Sequence, residues 1–421
     1  MHFQFRTAGE SHGRGLVCLI EGVPAGLPLS AETDINPDLR RRQGGYGRGD
    51  RMKIEKDAAE LVAGVRLGET LGSPLAIAIW NRDWENWKAA MAAEAPVAAD
   101  DEALRRVHLP RPGHADLVGV LKYDRADARD VLERASARET TARVAAGAVA
   151  RRLLAEFGIT IGSHVVMLGD IEARVPDALP ADLNAAADVS PVRTLDQDAE
   201  QRMTQAIDAA RAAGDTLGGC FEVVARGVPV GLGSHVSWDR KLDGRIAGAM
   251  MSIQAMKGVE IGLGFEAARR PGSRVHDEIE RAGDAARTGG FRRTSNSAGG
   301  LEGGITTGEA VVVRVAMKPL STLMKPLRSV DLRTGDRADA VRERSDVVAL
   351  PAAGVVGEAM LAIVLADAML EKFGGDSLGE MKQNFGAYLR QLADRSLAIE
   401  RIAAETREDP GAPAAVPPMA G

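Results

Sequence analysis

An α+β fold is what this sequence predicts, on three observations. Short apolar runs rich in β-branched residues recur along the chain, long helical periods separate them, and the two kinds do not alternate strictly enough for a parallel β-α-β array. Each half has a strand-rich block followed by a long helix, without an exact internal repeat. With 421 residues, 45% apolar and 27% charged, the chain can bury a large core in one domain or two, as an ordinary globular enzyme does.

Taken in order, residues 15–22 (GLVCLIEG) and 74–80 (PLAIAIW) are apolar enough for buried or half-buried strands. Residues 129–157 put Val131, Leu132, Ala135, Ala142, Ala145, Val149 and Leu153 on a helical period, which Gly158 stops. A strand follows at 159–170, then a surface loop at 175–192 marked by Pro176, Pro180 and Pro191. Helices are expected at 198–213 and 242–257, each closed by glycine, on either side of a strand at 220–227 (CFEVVARG). The stretch 270–296, rich in charge and glycine, reads equally as a mobile lid or a passive loop. A strand at 310–318 (AVVVRVAMK) precedes a helix at 354–373, stopped by Gly374 and Gly375, and an amphipathic stretch from 377 to about 405. Residues 406–421 end in DPGAPAAVPPMAG and bury too little to order themselves, so a disordered tail is expected.

Several classes are disfavoured. A net charge of −6 argues against a nucleic-acid binder. Cys18 and Cys220 lie in apolar runs without metal-ligand spacing and read as small buried hydrophobes in a reducing compartment. The first residues lack a secretory pattern, no segment reads as apolar enough for long enough to cross a bilayer, and a cytoplasmic protein is expected. No metal is expected: His114 and Asp116 could share a cation, but arginine rather than carboxylate surrounds them.

Chemistry concentrates in a few segments. GESHG (9–13) and RPGHAD (111–116) each set one histidine, His12 or His114, in a glycine-flanked turn beside arginines. An imidazole titrates near neutrality, and fixed cations suit a departing phosphate. The other histidines (His2, His108, His164, His235, His276) have no such setting and are assigned to surface or structure. RRRQGGYGRGDR (40–51) is either an anion-binding loop or a solvated basic one, and it is not a Walker A loop. In the 129–157 helix Arg134 and Arg138 lie one turn apart. Like charges there cost about 0.2–0.5 kcal/mol, relieved by a bound anion or by Asp130 and Glu139. LEGGITTG (301–308) and KPLST (318–322) offer donors to a phosphate or planar ring, or form a plain hairpin. In RERSD (342–346), Asp346 is either an ion-pair partner or a tuned base.

Together these segments resemble the chorismate synthase family. Eight motifs occur in family order between about residues 3 and 393: GESHG at 9–13, the glycine-rich arginine loop at 40–49, RPGHAD at 111–116 and RASARET at 134–140, then IQAxKG at 253–258, AGGLEGG at 298–304, KPxST at 318–322 and RSD at 344–346. The resemblance implies a β-α-β sandwich of antiparallel sheets flanking central helices, in a single catalytic domain spanning 1–405, assembled as a homotetramer. It also implies the anti-1,4-elimination of phosphate from 5-enolpyruvylshikimate 3-phosphate to give chorismate, with reduced FMN required although the reaction has no net redox change. The family is further associated with FAD and NADP, and NADPH or an external flavin reductase would keep the FMN reduced. No nucleic-acid or membrane partner is implied.

By the same matching, His12 is the acid near the departing phosphate and His114 the one near the flavin's pyrimidine ring. Asp346 works with flavin N5 in removing the C6 proton, and Ser11 and Ser136 orient protons beside these groups. Arg42 and Arg48 hold the phosphorylated substrate or NADPH, and Arg111 and Arg138 are further anion clamps. Flavin contacts fall on Arg134, Ala135, Ser136, Gln254, Ala255, Gly303, Lys318, Pro319, Leu320, Ser321, Thr322 and Arg344. Ser345 and Val347 stand where many members carry His and Pro, and the Gly-Tyr-Gly-Arg loop replaces a Ser/Thr-bearing one. Neither departure removes a charged group. Rival readings are a flavin oxidoreductase, which would consume NAD(P)H at every turnover, and a phosphometabolite sensor, whose binding would survive loss of both histidines.

Overall fold

Two strands open the chain, β1 (Gln4–Ala8) and β2 (Gly15–Glu21), paired antiparallel with Gln4 opposite Glu21. Their connection starts at Gly9 (φ 106°), where a Cβ would lie 2.3 Å from the Gly15 carbonyl oxygen, so only glycine can close the loop that carries His12. Alternation along β2 turns Leu16, Cys18 and Ile20 inward and leaves Val17 and Leu19 outside. Burial first, and then Glu139, push the Cys18 thiol up to about 12, so it stays an inert thiol. After α1 (Asn36–Gln43), β3 (Glu60–Ala63) and β4 (Leu75–Trp80) complete a four-stranded antiparallel sheet in the order β1-β2-β4-β3. The computed structural model describes residues 2–49, 56–94, 101–282, 287–343 and 345–408.

Helices α2 (Asp116–Tyr123), α3 (Arg129–Ala135) and α4 (Thr140–Ala155) follow. The single helix expected over 129–157 is broken at Ser136, which is extended (φ −62°, ψ 142°), and a 3-10 turn, Ala137–Glu139, leads into α4. Local polar bonds outweigh the apolar period here. The Ser136 hydroxyl accepts from the Arg138 N–H, and the Ala137 carbonyl accepts from Arg42 and from the Thr140 hydroxyl. Arg134 and Arg138 therefore lie on either side of a helix break rather than one turn apart in a single helix.

The second sheet is built from β5 (Thr160–Leu168), β6 (Ile171–Glu172), β7 (Gly219–Arg226), β8 (Met256–Ile261) and β9 (Val311–Met317). Its order is β8-β9-β7-β5-β6, with every pairing antiparallel. Helix α5 (Gln197–Ala213) precedes β7, and α6 (Leu242–Met251) precedes β8. The helix expected over 242–257 ends six residues early, because Ala255 takes a left-handed φ of 68° and the apolar residues beyond it belong to β8. The expected loop 175–192 contains one short helix, Leu183–Asp188, capped by the Asp182 side chain. Within 270–296 a hairpin pairs Ile279–Arg281 with Phe291–Arg293, and Arg281 reaches Glu400 at 3.0 Å.

Helix α7 (Leu350–Phe373) begins four residues before the expected start, with Pro351 in its first turn, and α8 (Leu378–Glu408) runs three residues into the expected tail. The rest of that tail, 409–421, lies outside the described residues. Length and composition alone would let α7 cross a bilayer, contrary to the sequence expectation, yet 94% of its apolar window is buried inside the protein. It packs on β5 and β7 on one side and on α4 on the other, and α4 in turn contacts β2. Gly147 of α4 lets the helices touch, since a Cβ there would sit 2.4 Å from the Ala359 Cα. Gly147→Ala is expected to lower unfolding stability by about 1–3 kcal/mol in a urea titration. No change in the midpoint would refute this account of the helix contact.

Candidate active site

His12 is held on three sides. Its backbone N–H donates to Glu133 Oε2 at 2.8 Å, and its ring Nδ1 lies 2.9 Å from Glu133 Oε1. The imidazole stacks on Trp87 with ring centroids 3.7 Å apart. Glu133 belongs to α3, where Arg129 one turn earlier donates to Oε1 at 2.8 Å, and the Ser11 N–H donates to the Glu133 carbonyl at 3.0 Å. Arg105 and Arg129 both face the Trp87 ring, at 4.1 and 5.4 Å from its centroid.

His114 sits in the turn before α2, where Gly113 has φ 78°. Its Nδ1 lies 2.5 Å from Asp116 Oδ1. Asp116, fully buried at the start of α2, also accepts from Arg111 Nε at 2.8 Å and Nη2 at 3.1 Å, while Arg111 Nη1 donates to the Thr322 hydroxyl at 2.9 Å. Burial works to raise the Asp116 carboxyl, but hydrogen bonds from His114 and Arg111 and the Arg111 charge bring it well below its ordinary range. Glu133 moves the same way: burial raises it, and the bonds and charge of His12, then Arg129, outweigh that.

The arginines form two further groups. Arg138 lies 2.6 Å from Asp57, Arg42 3.9 Å from the same carboxylate, and Arg42 Nε donates to the Thr140 hydroxyl at 3.0 Å. Two nearly buried guanidinium groups thus meet at one carboxylate, close in sequence to Ser136. Arg48 lies 3.2 Å from Asp346, whose Oδ1 accepts from the Gly49 N–H at 2.6 Å. Arg111, expected as an anion clamp, donates to both oxygens of Asp116 behind His114.

A continuous run of contacts joins the two histidine segments. Next to Glu133, Arg134 donates to the Gly9 and Thr7 carbonyls and lies 3.7 Å from Glu139. Gln254 donates to Glu139 at 3.2 Å, and the neighbouring Ala255 carbonyl accepts from the Lys318 N–H at 3.0 Å. The Lys318 ammonium donates to the Gly113 carbonyl beside His114, and Thr322 returns to Arg111. In the same stretch the Leu320 carbonyl accepts from Thr216. Gly303 stands apart, in a turn (φ 60°) beside His235, and Arg344 lies outside the described residues. Among the described residues no group of three or more His, Cys, Asp or Glu could hold a metal.

Four residues of the site carry no role in the sequence motifs: Glu133, Trp87, Arg129 and Asp57. The Arg129–Glu133 spacing of one helical turn was a readable signal, and a tryptophan is conspicuous in a chain with 4% aromatics. Nothing local marked Asp57. A cavity of about 610 Å³ lined by Asp38, Arg41, Arg151 and residues 159–162 contains none of the expected site residues.

Comparison with known proteins gives a consistent result. The family model described as "Chorismate synthase" matches residues 3–370. The chorismate synthase of Geotalea daltonii is 57% identical over 394 residues, covering 93% of this chain and 99% of that one. That of Aquifex aeolicus is 57% identical over 400 residues, covering 93% and 98%. A solved structure, "Crystal Structure of Chorismate Synthase", aligns with a TM-score of 0.74 at 47% identity over 93% of this chain and 98% of that chain.

Proposed function

The chain belongs to the chorismate synthase family, lyases of aromatic biosynthesis, and from that premise we propose how its residues carry out the elimination. The substrate is 5-enolpyruvylshikimate 3-phosphate, which loses phosphate to give chorismate at the last shared step of the shikimate pathway. The observation that supports the site assignment is the shared construction of the two histidines. Each has Nδ1 against a buried carboxylate, while Nε2 has no partner among the described residues, and each side chain is partly open, at 16% for His12 and 18% for His114. That leaves one nitrogen per ring for proton traffic.

In this reading His12 gives a proton to the departing phosphate, and Arg42 and Arg138, brought together at Asp57, hold the anion. Preorganised cations of this kind stabilise the charge that builds on a leaving group. Asp346, fixed by Gly49 and Arg48, takes the C6 proton. Ser11 and Ser136 orient the groups beside them. The residues present suit a reduced flavin, in the form of FMN. Gln254 Oε1 is buried without a hydrogen-bond partner and can accept from a ring N–H, Ala255 adopts the left-handed backbone, and Lys318 adds a cation nearby. When bound, reduced flavin lends electron density to the substrate as the C–O bond breaks and recovers it afterwards. His114 lies next to Lys318 and is placed to serve that ring, together with Ser321 and Thr322.

The two sheets with α4 and α7 between them suit the layered sandwich of the family, in one catalytic domain. A cytoplasmic homotetramer supplied with FMNH2 by an external reductase accords with the same reading. The decisive experiment is an anaerobic assay with chemically reduced FMN and 5-enolpyruvylshikimate 3-phosphate. Chorismate and phosphate are expected in equal amounts without NAD(P)H consumption. Nicotinamide oxidation in step with turnover would favour the oxidoreductase instead.

A further inference from the structure

We propose that Glu133 and Asp116 are positioning residues: each holds one histidine in the Nδ1–H tautomer, so that Nε2 faces the substrate side, and Trp87 fixes the plane of the His12 ring. The inference rests on the histidine roles proposed above and deepens them.

The two dyads are independent in the chain yet built alike. Glu133 is a helix residue packed behind the loop between β1 and β2, and Asp116 opens α2 directly after its own histidine. In both, the carboxylate is sealed from solvent, with side-chain exposure of 2% for Glu133 and 0% for Asp116, whereas the imidazole is not. In both, an arginine shortly before the carboxylate in sequence donates to it: Arg129 to Oε1 of Glu133, Arg111 to both oxygens of Asp116. An ionised carboxylate can only accept, so the ring nitrogen facing it must carry the hydrogen. Arg111 Nη2 also lies 3.2 Å from His114 Nδ1, but it donates to Asp116 Oδ1, and the carboxylate at 2.5 Å decides the proton's place. A neutral ring so held has its lone pair on Nε2, and a protonated one presents Nε2–H. Trp87 adds what a hydrogen bond cannot: stacked on His12 at 3.7 Å and itself in contact with Arg105, it stops the ring from turning about its bond to the chain.

A purely structural carboxylate would stabilise the fold without governing the ring. Ring 15N signals of histidine-labelled protein separate the two, with His12→Ala and His114→Ala supplying the assignments. For neutral His12 and His114 the wild type is expected to show Nδ1 protonated and Nε2 bare. Glu133→Gln and Asp116→Asn, whose carboxamides can donate as well as accept, are expected to lose that pattern, each for its own ring. Their kcat should fall about 10–10³-fold while KM changes much less, since orientation matters most in the transition state. A bare Nδ1 in the wild type overturns the inference even if a variant fails to fold. Full turnover in the carboxamide variants, with the alanine variants inactive, overturns the inference alone. Full turnover in the alanine variants overturns the histidine assignment and this inference with it.

Discussion

Replacing His12 or His114 by alanine is expected to lower turnover by about 10²–10⁴, the usual worth of a positioned proton-transfer group. The protein should still fold. Each ring contributes one half-buried stack or ion pair to a chain whose main core lies between the sheets and is untouched by either change. On the flavin assignment proposed above, binding of reduced FMN should persist, because Gln254, Ala255 and Lys318 remain in place. His12→Ala leaves Glu133 its bond from Arg129, so no carboxylate is stranded, and the same holds for Asp116 and Arg111 in His114→Ala. Anaerobic steady-state assays, with circular dichroism as the folding control, measure the effect. Wild-type turnover in a folded variant would remove that histidine from the mechanism.

The largest stability effect is expected at Glu358, in the first half of α7. Its carboxylate is fully buried and accepts from Arg41 Nη2 at 2.8 Å and Nη1 at 2.9 Å, and from Arg151 at 2.8 Å. It also accepts from the Ser163 hydroxyl at 2.6 Å and from Arg193 at 3.3 Å, while Asp38 and Asp188 share the arginines. Glu358→Ala removes the common acceptor and leaves three guanidinium groups around a void, at a cost of about 3–5 kcal/mol. A urea midpoint close to that of the wild type would contradict this. The pH dependence follows from the same contacts. Burial pushes the Glu358 carboxyl up, but the charges and bonds of Arg41, then Arg151 and Arg193, hold it well below the ordinary carboxylate range. A depressed folded pKa adds stability above the unfolded value of about 4.3, and that stability drains away as the pH falls toward the folded value. The wild type should therefore weaken steeply below about pH 4, and Glu358→Gln should flatten that slope.

The same buried network shows why α7 misleads a purely compositional reading. A glutamate inside twenty-four mostly apolar residues is compatible with a membrane span until three arginines from α1, α4 and the 190s loop are found around it. None of those arginines is close to Glu358 in sequence. The strands were legible because burial on one or both faces writes itself into runs such as VVVRVAM. The break at Ser136 was not, since the apolar period crosses it and one of the donors to the Ala137 carbonyl, Arg42, arrives from α1, far away in sequence.

Glycine-flanked histidines, arginine-rich loops and their order along the chain were written in the residues themselves, because the chemistry of a proton donor or an anion clamp lies in the side-chain type and in backbone freedom beside it. They carried the family and the reaction class. Which acid holds which base was decided only by tertiary structure: Glu133 behind His12, Asp57 between Arg42 and Arg138, and Asp346 on Arg48. Those pairings join segments separated by tens to hundreds of residues, and a carboxylate's partner is set by which groups share its burial rather than by its neighbours in the chain.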